Sequence, residues 1–432
     1  MEKATFNSLP TELHIQILSF LDVDPPSYAK FTNRPTPHIL DSDRPLKNAS
    51  EVNKKWRSVA IPFLFRHTIW KIQPKDLNSL RQCRNPSEID ILRFLADHDI
   101  CDHVDSIVLF VEPPDDEDDE VDLMSTEPAY FQNCEALWET LFSTIDPLRF
   151  SIIARPARLG PLLSIPVDFS NYWCYGSYEH ILSLSRTTRF ITPQPHRPAG
   201  DSPISIHSKL FTIRPWTAAL LNEGCNMGPY RTYEHHRKTP PSILPALVGS
   251  TQSLHTGDGG LFGQPALLPP SVQDFSYIAE FPVYNHFTKV VRNLPRLHRL
   301  YIQLVPKPHI LKDEFEMRHI DTRDLWMERN ACYATLMTHI FSWSPGSNWK
   351  HLHIFESGDT ADRQAWDMAS HFVLTSQTKK WTIEREGVFV WKKETDSKKA
   401  SNEGNLERLA FRGLEVLPFP TIAPFPTASN YI

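Results

Sequence analysis

The feature that most constrains this chain is a recurring pair of hydrophobic periods. Four times a helical face is followed, after a short loop, by a short apolar strand. Leu137, Trp138, Leu141, Phe142 and Ile145 precede the strand at 148–154, and Phe287, Val290, Val291 and Leu294 precede one at 297–305. Tyr333, Leu336, Met337, Ile340 and Phe341 precede a third at 349–355, and Trp366, Ala369, Val373 and Leu374 a fourth at 379–386. Each helix keeps the i, i+3, i+4, i+7 spacing of one buried stripe, and the strands alternate. Leu294-x-x-Leu297-x-x-Leu300-x-Ile302-x-Leu304 has the spacing of a leucine-rich-repeat strand, echoed less fully by Val104-x-x-Ile107-x-Leu109 and Leu406-x-x-Leu409-x-Phe411. Spacing between units is uneven, which excludes a regular repeat. The pattern therefore predicts an α+β chain in which an irregular stack of helix–strand units aligns its strands along one side. The rival is an ordinary α+β domain whose helices and strands merely alternate.

Composition narrows the function classes. Of 432 residues, 37 are Pro and only 15 Gly. That balance argues for interrupted elements joined by stiff loops and against glycine-rich phosphate cradles. The formal net charge of −6 argues against a dedicated nucleic-acid binder. The cysteines at 83, 101, 134, 174, 225 and 332 form no CxxC, so neither a zinc ribbon nor a dense disulfide scaffold is expected. With no signal-like apolar region near Met1 and no apolar run approaching ~18 residues, no membrane span is expected and a place in the cytoplasm or nucleus is.

The N-terminal segment 8–21, SLPTELHIQILSFL, reads as a helix with Pro10 at its start and Glu12 in the first turn. Leu13, Ile17, Phe20 and Leu21 make one stripe, yet Leu9, Ile15 and Leu18 are apolar and lie off it. A short helix apolar on more than one side needs two things to bury against. A second helical stretch follows within 45–70, with Leu46, Ala49, Val52, Trp56 and Val59 as packing positions, ending at Pro62. Lys54, Lys55 and Arg57 make its other side basic.

Three blocks in this region, Leu9-Pro10-x-Glu12-Leu13, Ile17-Leu18-x-x-Leu21 and Val52-x-x-x-Trp56-Arg57, resemble an F-box. Pro62-Phe63-Leu64-Phe65-Arg66-His67 is similar to the tail common in F-box proteins of filamentous-fungal type. Asn53 stands where that family usually has Cys, and the interval 22–45 is a proline-rich insertion longer than the usual gap. The resemblance covers residues 6–72 and implies a compact helical module that binds the Skp-type adaptor of an SCF (Skp–cullin–F-box) ubiquitin ligase. Carried over by position, Leu9, Pro10, Leu13, Ile17, Leu18, Leu21, Val52 and Trp56 make or support that interface. The resemblance further implies a subunit without chemistry of its own, linked through the adaptor to a cullin. Residues 73–432 would then recruit a protein substrate, with long loops at 112–123, 193–203 and 255–271. No cofactor, metal or nucleic acid is expected.

Two alternatives stand beside this reading. One is an F-box scaffold acting outside ubiquitination. The other, from a different class, is a hydrolase using the Cys174/His180 neighbourhood. Other enzyme signals are weak: Gly257–Gly260 lacks the GxGxxG and P-loop patterns, Glu234-His235-His236 lacks HExxH spacing, and there is no GxSxG elbow. Arg155, Arg158, Arg186 and Arg189 are compatible with binding a phosphorylated target.

Overall fold

Ten strands lie side by side in one sheet, almost in chain order: β1 (His67–Ile72), β2 (Ser106–Val111), β3 (Arg149–Ala154), β4 (His180–Ser185), β5 (Ala218–Cys225), β6 (Asp274–Glu280), β7 (Arg299–Gln303), β8 (Ile354–Ser357), then β10 (Val388–Trp391) and β9 (Trp381–Arg385) at the edge. In the computed structural model, the described residues are 9–22, 24–36, 38–41, 45–113, 134–176, 178–189, 208–249, 266–305, 310–341, 346–375 and 380–392. The chain divides into Met1–Trp391, which contains everything described below, and Lys392–Ile432. The class is mixed α/β with a mostly parallel sheet.

Five neighbouring pairs are parallel: β1–β2, β2–β3, β5–β6, β6–β7 and β7–β8. Four are antiparallel, because β4 runs against both its neighbours and β9 and β10 form a closing hairpin. The reversal at β4 departs from the uniform helix–strand pattern that the periodicity predicts.

One face of the sheet carries the main core. Ile107, Leu109, Phe150, Ile152, Leu182, Leu221, Phe275, Leu300 and Ile302 meet the connecting helices there. The predicted helical stripes supply the other half: Leu137, Trp138, Leu141 and Phe142 from Glu135–Thr144, and Phe287, Val290 and Val291 from Tyr284–Arg292. Each such side chain contributes roughly 1.5–3 kcal/mol when fully buried. The predicted helix at 333–341 belongs to a longer one, Thr322–Phe341, and the predicted strand at 349–355 begins as a 3-10 turn, Asn348–His351, before β8. The segment 406–411, the loop 193–203 and most of the loops 112–123 and 255–271 lie outside the described residues.

The second face holds the larger surprise. β2, β3 and β4 are buried almost throughout, so something covers them on that side too. The cover is the insertion 22–45. Phe31, Ile39 and Leu40 pack against Val108 and Phe110 of β2, Ile153 of β3 and Ile181 of β4. Asn222 of β5 is buried and its amide donates to the carbonyls of Phe31 (2.8 Å) and Asn33 (2.7 Å). The Arg149 guanidinium donates to the Ser27 carbonyl and lies 3.8 Å from the centre of the Tyr28 ring. By contrast β7 alternates between buried and half-exposed residues, so the cover stops short of it.

If the insertion is a structural cover, Phe31→Ala should lower stability by about 3 kcal/mol, the usual cost of truncating a buried phenylalanine. Urea denaturation followed by circular dichroism measures this. A loss under ~0.5 kcal/mol, typical of a surface position, would show the crossing to be an ornament.

Candidate functional site

The N-terminal helices are α1 (Thr11–Ser19), α2 (Pro26–Ala29), α3 (Pro45–Glu51) and α4 (Lys54–Arg66). The single helix expected over 45–62 is therefore two, broken at Val52–Asn53. The reason is local: the Asn53 side chain accepts a hydrogen bond from the Trp56 backbone N–H (2.9 Å) and caps α4. Asn53, at the position where the F-box resemblance leads one to expect Cys, thus caps a helix. Pro62 does not end the helix but sits inside it. Its missing N–H leaves one turn of the ladder short, and Phe63 and Leu64 beyond it still pack on the small helical core.

That core consists of Leu18, Leu46, Ala49, Val59 and Ala60, with Leu21, Trp56, Phe63 and Leu64 partly buried around it. The buried line of α1 is His14 and Leu18, with the His14 ring 6.1 Å from that of Trp56. This corrects the expected stripe. Ile17 and Leu21 are half-buried, but Leu13 is 43% exposed and Phe20 is 80% exposed. The helix is turned about one residue from the predicted stripe because His14 fills a packing place that apolar periodicity could not assign to it.

The eight motif residues divide into two groups. Leu18 (1% exposed), Leu21 and Trp56 build the core of the helical unit, with Leu9 and Ile17 half-buried. Pro10, Leu13 and Val52 (62% exposed) face outward. Lys55 donates to the Leu9 carbonyl (2.9 Å), which ties the start of α1 to the start of α4 beside Val52. Ile15 and Phe20 are exposed as well. The spacing offers a signal for Ile15, which lies off the stripe. Phe20 lies on it and gives none.

The helical unit is held to the sheet by charge as well as by the insertion. Arg66, at the end of α4, pairs with Asp22 (3.0 Å) and Asp105 (2.6 Å), and Arg189 also reaches Asp105 (2.6 Å). Hydrogen bonding to Asp105 raises the Arg66 guanidinium above its ordinary value. Arg34, within the insertion, pairs with Glu316 (2.8 Å) and lies over the Tyr178 ring.

The Cys174/His180 neighbourhood does not assemble into a nucleophile and base. Cys174 donates to the Asn171 carbonyl (2.9 Å), and burial pushes its thiol above the ordinary range. No imidazole hydrogen-bonds to it among the described residues. His180 belongs to a different group, centred on Glu223 of β5, whose carboxylate accepts from Tyr277 (2.6 Å), His286 (2.9 Å) and Ser242. All four are buried. Ser242 and His286 both bond to the carboxylate rather than to each other, so the order a hydrolytic triad needs is lacking. Arg186 is buried and paired with Asp146, and Arg189 with Asp105, so neither presents a free guanidinium to a phosphate. His235 is buried, stacked on Tyr230 and 3.6 Å from Glu328. No group of three metal-ligating side chains occurs among the described residues, and no helix there is long and apolar enough to cross a membrane. Gly257–Gly260 lies outside the described residues.

The Glu223 group makes stability pH-dependent. Burial lowers His180 to about 4, against the opposing charge of Glu223 and with some help from His286. The unfolded chain would protonate His180 near 6.5. The unfolded state therefore binds more protons between pH 6.5 and 4, and stability present above 6.5 is lost on descending through that window, by about 3 kcal/mol. Burial tends to raise Glu223, but His286 and His180, together with the Ser242 hydrogen bond, hold it at about 2, so its contribution is lost only below pH 4.5. Urea midpoints across pH 4 to 7 should show the first slope in the native chain and its loss in His180→Asn. An unchanged slope in that variant would assign the loss to other groups.

Comparisons of the chain with protein-family models, with curated proteins and with solved structures return no match.

Proposed function

We propose that this chain is the substrate-recruiting, non-catalytic subunit of an SCF ubiquitin ligase, working in the cytoplasm or nucleus. In this reading the N-terminal helices bind a Skp-type adaptor and, through it, a cullin. The sheet region holds a target protein, as an irregular leucine-rich-repeat-like stack interrupted by the reversed β4. One observation carries the proposal. Of the residues that resemble the F-box motif, Leu18, Leu21 and Trp56 pack with Leu46, Ala49, Val59 and Ala60 in a small helical core, while Leu13 and Val52 remain in water, as do Ile15 and Phe20 on the same helical unit. Large apolar side chains grouped on one small unit mark a surface awaiting a partner.

The division also explains the double-sided first helix. Its buried line serves its own unit, and its surplus apolar side serves the adaptor. Such a subunit acts by effective concentration, holding a target near a ubiquitin-loaded enzyme bound elsewhere. The attachment of α4 through Arg66 and of the insertion through Asn222 suits that task, because a fixed spacing keeps the target within reach.

Co-purification with a Skp-type adaptor tests the reading. Leu13→Asp with Val52→Asp changes two outward side chains and should leave the melting temperature within a degree or two. Each should cost about 2 kcal/mol of binding, near thirtyfold, if these are anchor positions. Undiminished capture by the double variant would overturn the assignment. Cullin should appear in the native complex; adaptor without cullin would favour a scaffold acting outside ubiquitination.

A further inference from the structure

The sheet has an edge at β9 and an edge at β1, and the two are built differently. β9 is one arm of the closing hairpin, its pairing with β10 slips between Val388 and Phe389, and its last residues, Glu384 and Arg385, are exposed charges. Irregular pairing and charge are common means by which an edge is kept from pairing further. β1 keeps an unbroken register with β2 from His67↔Ser106 to Ile72↔Val111. It contains no proline, and its one lysine or arginine is Lys71.

The direction of its main chain follows from one bond. The Ile72 carbonyl, in register with Val111, accepts from the Glu112 N–H (2.9 Å). Successive residues of a strand turn their N–H and C=O groups to opposite edges. Thr68, Trp70 and Ile72 therefore face β2, and His67, Ile69 and Lys71 face away from it. Nothing among the described residues hydrogen-bonds to the main chain of Ile69 or Lys71. Two outward pairs of donor and acceptor thus stand about 7 Å apart. The side chains on either face are also incompletely covered. Ile69 packs on the core beneath the crossing and Trp70 on the main core, and both are only half-buried.

We propose that the outer edge of β1 takes up an extended segment of another protein as a further strand. Its main chain pairs with Ile69 and Lys71, and its apolar side chains cover Ile69 on one face and Trp70 on the other. Donors and acceptors repeating at this interval match another extended backbone. A second copy of this chain fits less well. The strip is roughly 20 Å long and one strand wide, well short of the ~800 Å² per partner that a stable pair of folded chains buries. A short segment needs only the strip itself. The proposal does not rest on the adaptor reading, although α4 runs directly into β1.

The test begins with amide hydrogen exchange of the full chain by NMR. The Ile69 and Lys71 amides should exchange at least a hundredfold faster than those of Thr68 and Trp70. Equal protection would mean that a segment of the same chain already fills the edge, and would overturn the proposal. The probe is a labelled nine-residue peptide of alternating Thr and Val with Lys at both ends, followed by fluorescence anisotropy. It should bind and slow exchange of the Ile69 and Lys71 amides at least tenfold, and the same peptide N-methylated at alternate residues should not bind. Lys71→Pro removes an outward N–H and no bond to β2, so the melting temperature should stay within a few degrees while the peptide weakens at least tenfold. Lys71→Ala keeps that N–H and should bind within twofold of native. No binding of the unmodified peptide at millimolar concentration, equal binding of the N-methylated one, or equal loss in Lys71→Ala and Lys71→Pro would overturn the assignment. So would a native dimer in sedimentation that Lys71→Pro dissociates, which would make a second copy the occupant. Leu13→Asp with Val52→Asp should retain peptide binding, so failure of the adaptor reading and failure of this one are distinguishable.

Discussion

A single buried amide fixes much of the architecture. Asn222, near the end of β5, donates to two carbonyls of the crossing segment and accepts from the Gly224 N–H (2.9 Å). Without the crossing, Val108, Phe110, Ile153 and Ile181 would meet water on the second face of the sheet. With it, they and Phe31, Ile39 and Leu40 are all removed from solvent, each worth roughly 1.5–3 kcal/mol. The amide adds specificity rather than bulk stability. Its donors are desolvated, so a crossing placed elsewhere would strand them at a cost of 1–3 kcal/mol each. Gly224 completes the arrangement: its φ of +67° lets the strand bulge there, and a side chain would lie against Pro35 of the crossing.

The next residue turns the same strand end into an anchor for the opposite face. Side chains alternate along a strand, so where Asn222 points to the crossing, Glu223 points to the helices. There it gathers Tyr277 of β6, His286 of the following helix and Ser242. Both layers flanking the sheet are therefore registered on adjacent residues of β5. Buried polar groups of this kind stabilise only when their partners are in place, which makes the relative placement of crossing, sheet and helices an all-or-none matter. Arg66 extends this to α4 by bridging Asp22 and Asp105.

Legibility in the sequence followed periodicity. The helices around Trp138, Val290, Ile340 and Val373 and the strands holding Ile152 and Ile302 were readable because their stripes are long and regular. β1, β4, β5, β6 and β10 lie outside the strands that the periodicity marks, although β2 carries a clue: Ile107 to Val111 is continuously apolar, as a strand covered on both faces should be. The cover itself has no periodic signature, because Phe31, Ile39 and Leu40 are scattered among prolines. The motif residues were legible by resemblance, but their sorting into core and surface was not. That sorting depends on His14, whose burial follows from the Trp56 ring beside it and from nothing in its own polarity.

The crossing also decides where a partner can touch the sheet. It closes the second face over β2 to β5, and beyond it Arg299, Tyr301 and Gln303 of β7 remain half-exposed. The face that stays open lies toward the β7–β9 end. The exposed apolar side chains of α1 and Val52 belong to the β1 end, since α4 runs directly into that strand. Six strand spacings separate β1 from β7, roughly 29 Å. On the proposed adaptor reading, such a separation would let two partners bind at once, because two partners on one face would exclude each other. The proline-rich insertion, which looks at first like an interruption of the helical module, is what closes part of the second face and ties the helical unit to the middle of the sheet.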